Sequence, residues 1–480
     1  MLPPFIRRPR KKIEPRSKER GVTMALVAIT MVAIISMAAL AIDIGTLYEA
    51  KAEAQRTADA AALTAARVIS ISGITGDPNN STSSWQPVCG GSTSPATLAA
   101  TTVAQQNLIG GVQASTINVY YGTNGGVGTN TDCTTSGTAF GVNPIVTVNV
   151  QRTNLPVFFA RVFSLFGSRY SGSSVSASAT AEAFNPSASN TVDPNGKVIP
   201  VNPRCVKPWI IPNIDPISPK TAPNNYFVTL ANGSIVSPGV SSGPGTGVIG
   251  ENFTIAADCR HHRANCNGGN MIPGGNPPQS TGGTIHYVPA LVTGTPTAVP
   301  SCATADTFEE ASGGCDQGTV YACGVQQGNQ ADLNENPVNP NGLDGDTGTA
   351  VQCLTNSTSG PDHLSVSSFP FQIQAGSGNA LVSGGAVSSG SVIMTSNSIV
   401  TIPIYDQTAG TGGPVPLVGT QPYVTIVGFL QVFIQNIAAN GELNVYVLNV
   451  AGCGNGLTTT VSSSPVFGTS PVPVRLITSP

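Results

Sequence analysis

The sequence predicts an α+β protein built from a single N-terminal transmembrane helix extended into an amphipathic helix, then a small α+β head, then a β-rich, loop-heavy, disulfide-containing C-terminal region. Three observations carry this. One uninterrupted apolar stretch, Val22 to Ile42, stands near the start. An alanine-rich segment with helical periodicity follows it directly. The rest is short Val- and Ile-rich runs broken by Gly, Pro, Asn and Ser, with 54 Gly, 38 Pro and ten cysteines in 480 residues.

Within Val22 to Ile42 the polar residues are Thr23, Thr30 and Ser36, whose hydroxyls can bond their own helix backbone. At 1.5 Å per residue the stretch reaches roughly 32 Å, enough to cross a hydrocarbon core of about 30 Å. Residues 1–20 carry eight cations against Glu14 and Glu19, while the remainder carries 13 cations against 22 anions. Lys and Arg collect on the cytoplasmic side of a span, so the N-terminus is expected inside and the bulk of the chain outside. A cleaved secretory signal has a shorter apolar core of about 7–15 residues, which favours a retained anchor. Cleavage of a prepilin-type leader after Gly21 expects a glutamate five residues into the mature chain, and Leu26 stands there.

Beyond the span, Ala50, Ala54, Ala58, Ala61 and Ala65 recur at three- and four-residue spacing, which sets them on one helical face. Small side chains let a neighbour approach closely. That neighbour is either the protein's own outer part or another subunit. Glu49, Lys51, Glu53, Arg56 and Asp59 occupy much of the remaining surface, and Met24 to Ile69 can be one helix.

Glu19-Arg20-Gly21 ahead of an alanine-rich apolar run, Ala41-Ile42-Asp43-Ile44-Gly45 with Tyr48 after it, and Ala58-Asp59-Ala60-Ala61-Ala62-Leu63 form a pattern. From Arg20 to Ile69 this resembles the N-terminal segment of TadG-like Flp pilus-assembly proteins of the tight-adherence secretion machinery. Looser echoes fall at Leu155 to Phe166, Ser174 to Ala183, Cys205 to Trp209 and Val427 to Phe429. The resemblance implies an envelope protein of the bacterial inner (cytoplasmic) membrane that serves pilus assembly. Several such proteins carry a von Willebrand A domain, but no D-x-S-x-S metal-adhesion motif supports one here.

Only 9% of residues are charged, against about 25% in ordinary domains. Solubility outside the membrane then rests on Ser, Thr, Asn and Gly, and the net negative outer part has no basic footprint for nucleic acid. The basic arm beside a span suits anionic lipid, at about 1 kcal/mol per cation near the surface. All ten cysteines follow the span, and an even number in an oxidising compartment favours disulfides. Connectivity does not follow from spacing; Cys259 with Cys266 and Cys315 with Cys323 are the shortest guesses.

The predicted organisation is a basic cytoplasmic arm over 1–20, the transmembrane helix over 21–42, and an extracytoplasmic helix with an α+β head over 43–184. A linker over 185–204, an irregular Cys-rich region over 205–370 and a β-rich region over 371–480 follow. In the head, residues 73–91 read as loop and Pro95 to Ile109 as a helix opened by Ser94, with strands at Ile117 to Tyr121, Ile145 to Val150 and Ser174 to Ala183. Leu155 to Phe166 places Phe158, Phe159, Val162, Phe163 and Phe166 at helical spacing, as expected of an amphipathic helix covering a sheet. A long helix with such a head is a pilin-like plan, by analogy. Further on, Trp209 to Ile211, Tyr226 to Leu230 and His286 to Val292 are short apolar runs. Ser391 to Tyr405, Tyr423 to Ile437 and Leu443 to Val450 are expected strands. Gln431 and Gln435 with β-branched alternation make Tyr423 to Ile437 a strand rather than a second span.

No catalytic, cofactor-binding or metal-binding residue is assigned. Cys259, His261, His262 and Cys266 could form a tetrahedral zinc site, but adjacent ligands diverge and Arg260 and Arg263 oppose a dication. Asp332, Asn334, Glu335, Asn336, Asp344 and Asp346 could hold calcium, yet an EF-hand from Asp332 would need Gly at Pro337 and Glu at Leu343. Gly239-Val240-Ser241-Ser242-Gly243 matches G-x-S-x-G, a string that works only on a strained strand-to-helix elbow. The expected function is therefore non-catalytic: a membrane-anchored structural component of Flp pilus assembly or its secretion apparatus, without cofactor. Its expected partners are the lipid bilayer and other pilus-assembly or secretion subunits. The alternatives are a minor pilin or pseudopilin within a fibre, a surface adhesin, or a metal-dependent extracytoplasmic hydrolase.

Overall fold

The computed structural model describes residues 19–477 apart from 124–125, 157–158, 160–172, 188–194, 198, 218–225, 244–245, 258–282, 298–305, 322–329, 333–342, 344, 407–422 and 454–464. The chain opens with α1 (Glu19–Ile71), 53 residues long, and continues through α2 (Gln86–Cys89), α3 (Pro95–Gln106), β1 (Thr116–Gly122), α4 (Ala139–Val142), β2 (Ile145–Leu155) and β3 (Ser173–Ala183). Next come β4 (Val201–Pro203), β5 (Trp209–Pro212), β6 (Asn252–Ala257), β7 (Thr284–Pro289), α5 (Thr307–Gly313), β8 (Gln330–Asp332), α6 (Asp346–Leu354), β9 (His363–Ser365) and β10 (Gln372–Gln374). The last elements are α7 (Ala380–Ser383), β11 (Val392–Ile393), β12 (Ile399–Tyr405), β13 (Tyr423–Ile437), β14 (Leu443–Gly452), β15 (Val466–Gly468) and β16 (Val474–Ile477). The mixed α+β class predicted from the sequence is what the chain adopts.

α1 stops where Gly73 takes a left-handed φ of 75°. Glycine adopts that φ without the penalty a side chain would incur. There is also no room for one, since a Cβ would lie 2.9 Å from Ile249 and from the carbonyl of Leu448. The stretch after it is not the plain loop the sequence suggested. A π turn at Ser81–Trp85 runs into α2, and Trp85 is fully buried with its Nε1 donating to the Asp77 carbonyl at 2.8 Å. A single indole supplies enough apolar area to organise a segment otherwise rich in turn formers.

The head sheet is antiparallel, in the order β1-β2-β3-β16. Val175, Ala177, Ala179, Ala181 and Ala183 alternate onto one face of β3 and share a core with the alanines of α1. The fourth strand comes from far along the chain. Arg475 of β16 lies opposite Glu182 of β3, and the two side chains form an ion pair. Glu182 Oε2 also accepts from Asn143 Nδ2 at 3.0 Å, and the Arg475 guanidinium sits 5.2 Å from the Phe184 ring centre. Leu155, expected to open an amphipathic helix, instead ends β2, because the β2–β3 pairing extends to Leu155 and Ser173. The rest of that expected helix falls largely outside the described residues.

The second sheet runs β12-β5-β7-β6-β14-β13 with β8 added to β13, and β12 pairs with β13 as well. Six strands thereby close into a barrel. Closure removes the exposed edges that an open sheet must protect. Its interior holds Trp209, Ile211, Phe253, Ile255, Tyr287, Ile402, Leu430 and Val447. Strands β5, β6 and β7 come from the stretch expected to be irregular, while Tyr226 to Leu230 forms only a bridge, Val228 with Ile235. The segment read as linker is anchored at both ends. Asn185 Nδ2 donates to Thr75 Oγ1 at 3.0 Å and to the Val450 carbonyl at 3.1 Å, and β4 pairs in parallel with β15.

Candidate functional site

The first half of α1 contains a window with mean hydropathy 2.6 and no buried residue, long and apolar enough to cross a membrane. Val22 is 69% exposed and Met24 78%. The polar residues inside it are satisfied locally: Thr30 Oγ1 donates to the Leu26 and Val27 carbonyls at 3.0 and 2.9 Å, and Ser36 Oγ donates to Val32 at 2.7 Å. A span with no water available needs such internal bonds.

Asp43 marks the end of this stretch. It is buried, and its two carboxylate oxygens accept from the Phe159 backbone N–H at 3.0 and 3.3 Å. The Asp43 carboxylate thus ties Phe159 to the helix where it leaves the apolar zone. Nothing in the spacing of residues indicated this partner.

Two turns on, the alanine face begins. Ala54, Ala58, Ala61 and Ala65 are fully buried and Ala50 nearly so, packed in the head core. Lys51 Nζ donates to the Ser176 carbonyl of β3, and Gln55 Nε2 donates to that of Ser178 at 3.1 Å. The possibility that Ala50, Ala54, Ala58, Ala61 and Ala65 dock another subunit is corrected: the chain's own head, with the alanines of β3 and α3 in the same core, already covers them. What α1 leaves exposed beside the head is Ile44, Tyr48, Glu49, Lys51 and Arg56.

The chemistry candidates come out separately. Cys259 to Cys266 lies outside the described residues, as do Asn334, Glu335, Asn336 and Asp344 of the oxygen-ligand cluster. Asp332 ends β8 and Asp346 opens α6. Among the described residues no group of three or more His, Cys, Asp or Glu is placed to hold a metal ion. Ser241 sits in a loop: its N–H donates to the Ile249 carbonyl at 2.7 Å, and Val240 bridges Ile249. The strand-to-helix elbow that would activate this serine is not formed at these residues.

Cys89 bonds Cys133, and Cys205 bonds Cys315 across 110 residues. The guess of Cys315 with Cys323 is corrected by the second of these. β4 leads Cys205 to the loop after α5, so the bond closes a long loop rather than a short one. Cys353 and Cys453 are disulfide-bonded too, and no described cysteine is free.

Sequence reasoning missed one constellation altogether. A cavity of about 300 Å3 lies between the end of α1 and the outer face of the barrel, lined by Arg67, Lys207 and Gln431 among others. Burial lowers the pKa of both cations, that of Lys207 to about 7. A lysine and an arginine far apart in sequence, without a motif between them, leave no signal to find.

With the helix and its packed face established, comparison with known proteins becomes informative. Residues 21–68 match the family model described as putative Flp pilus-assembly TadE/G-like. This Tad-like segment covers the apolar half of α1, Asp43 and the alanine face, and ends one residue after Arg67. No curated protein and no solved structure matches the chain.

Proposed function

We propose that the protein is a non-catalytic, single-span component of Flp pilus assembly or of the associated secretion apparatus. On this reading the basic arm is cytoplasmic, α1 crosses the inner membrane, and the head and barrel stand outside it. The observation that carries the proposal is the Tad-like match over residues 21–68, coinciding with the length of α1 that is first apolar and exposed, then packed under the head. The Lys and Arg asymmetry across Val22 to Ile42 supports the orientation, and the bonded cysteines support an oxidising location.

Deleting the chain is expected to abolish surface pili, with display restored by the full-length protein and not by residues 1–71 alone. Normal pilus number in the deletion strain refutes the assembly role. A reporter active only in the cytoplasm, fused after Pro480, should be silent, and activity there refutes the orientation.

One observation favours a second reading, a minor pilin. An antiparallel sheet seated on the second half of a long N-terminal helix supports the analogy with a pilin. Val22 as the mature N-terminus of protein recovered from sheared fibres would support it, and an intact basic arm on that protein would exclude it.

A further inference from the structure

α1 has no free length between its apolar half and the head. Asp43 follows Ile42 directly, is buried, and accepts from the Phe159 backbone N–H through both carboxylate oxygens, at 3.0 and 3.3 Å. Leu155 and Pro156, at the end of β2, line one small cavity together with Thr46, Leu47 and Ala50. The Gly110 N–H donates to Glu53 Oε2 at 2.6 Å. The head therefore reaches down the helix to the residue at which the apolar stretch ends, and Phe159 lies at that level.

The side chains exposed there are apolar or aromatic. Ile44 is 43% exposed, Phe159 44% and Tyr48 73%. Ile44 and Tyr48, four residues apart, share one side of the helix, at about 3 and 9 Å beyond Ile42 along its axis. The headgroup layer outside a hydrocarbon core is about 5–8 Å thick, so these three side chains span its depth. The first exposed charge on α1 after Ile42 is Glu49, at the far limit of that layer. Single exposed apolar residues are ordinary, but a group with two aromatics gathered at the end of a span has the placing of interfacial anchors. The backbone N–H of Phe159 is bonded to Asp43, so its ring can enter the interface without carrying an unpaired donor with it. Residues 156–172, which join β2 to β3, include Arg161 and Arg169 and no Asp or Glu, so this part of the sequence brings no charge that anionic headgroups would repel.

We propose that the head rests directly on the outer surface of the bilayer, with Phe159, Ile44 and Tyr48 seated among the lipid headgroups. This deepens the single-span reading and rests on it. Lipid is the partner because the patch continues the fully exposed apolar surface of the span, and because Asp43 fixes Phe159 beside that surface. Contact on one side of α1 then sets how the molecule is turned about the helix axis, and the head is held against the membrane rather than carried above it on a stalk.

Full-length protein, alone in nanodiscs of phosphatidylcholine and phosphatidylglycerol with plain or brominated acyl chains, tests this through single tryptophan substitutions. Native Trp85 and Trp209 are fully buried and give the baseline emission. Val32→Trp, at the middle of the span, should lose most of its added emission to bromine. Phe159→Trp, an aromatic exchange at a half-exposed site, should lose a clear part of it, and Tyr48→Trp less. Leu98→Trp should lose none: Leu98 is exposed on α3 and shares a cavity with Val68, which lies about 39 Å beyond Ile42 along α1. Phe159→Trp untouched by bromine while Val32→Trp is quenched overturns the docking and leaves the span standing. Emission of Phe159→Trp that responds to a second copy in the disc, and not to bromine, assigns the face to that copy and overturns it as well. Equal losses at Phe159→Trp and Leu98→Trp mark a molecule lying along the disc and do the same. Val32→Trp untouched overturns the single-span reading, and the docking with it.

Discussion

The two halves of α1 belong to one continuous helix and share an abundance of alanine, yet they meet opposite environments. From Val22 to Ile42 the large apolar side chains project on every side and are exposed, as a segment needs when lipid is to surround it. From Ala50 to Ala66 the buried apolar residues are all alanine, while Glu49, Lys51 and Arg56 remain outside. The lesson is that side-chain size, rather than hydrophobicity, marks the packed half. Alanine adds little apolar area, but it lets the alanines of β3 approach close enough for Lys51 and Gln55 to reach backbone carbonyls on that strand.

Enlarging alanine in each half tests this contrast most severely. Ala54→Leu with Ala58→Leu should destabilise the head by about 1–3 kcal/mol per site in chemical denaturation. Ala28→Leu with Ala33→Leu, in the exposed half, should leave the head unchanged. Equal losses from the two pairs would abolish the distinction. Next in size is removal of the Cys89–Cys133 bond, which ties α2 to the turn at Cys133–Ser136 beside the packed half. Cys89→Ala with Cys133→Ala should cost about 2–5 kcal/mol. A melting temperature unmoved by the pair would show that the alanine contacts alone hold the head.

A smaller loss is expected from Arg475→Ala. Glu182 would keep the Asn143 bond, and Arg475 is itself 35% exposed. The ion pair is therefore partly screened, and about 1–2 kcal/mol is expected. Glu182→Gln should restore part of it in the double variant, and failure to do so would show that packing of β16, not charge, is what matters.

The last test is a pH dependence in the barrel and asks whether it answers together with the head. Burial, with a contribution from the charge of Asp215, raises the Glu251 carboxyl to about 8. The folded protein then holds a proton that the unfolded chain releases above about 4.5. The resulting stability is fully present below that pH and is lost as pH rises through about 8. Glu251→Gln should flatten the fall of melting temperature across that window. A single transition that shifts for both bodies would show the head and barrel unfolding as a unit.

Much of the fold was legible where local pattern decides it. β13 has the bounds read from the sequence, Tyr423 to Ile437, because β-branched alternation and two glutamines contradict a membrane helix. One of those glutamines, Gln431, then proves to line the cavity. Long-range pairing was not legible. The Cys205–Cys315 bond, the parallel contacts β5 with β12 and β6 with β7, and the return of β16 to β3 all join residues whose separation leaves no periodic trace. Arg67 and Lys207 were invisible for the same reason, since each looks like an ordinary solvated cation until the chain is folded. The alanine face was visible as a face, but spacing alone does not say whose surface covers it.

The position of β16 also sets an order of events. Glu182 and Arg475 are 293 residues apart, so the head sheet lacks its fourth strand until the whole barrel sequence has been synthesised. α1 and β1 to β3 are in place early, with the outer edge of β3 open. The head sheet can be completed only after the barrel strands have been made, and a chain truncated before Val474 would leave that edge of β3 open, beside a face lined by alanines.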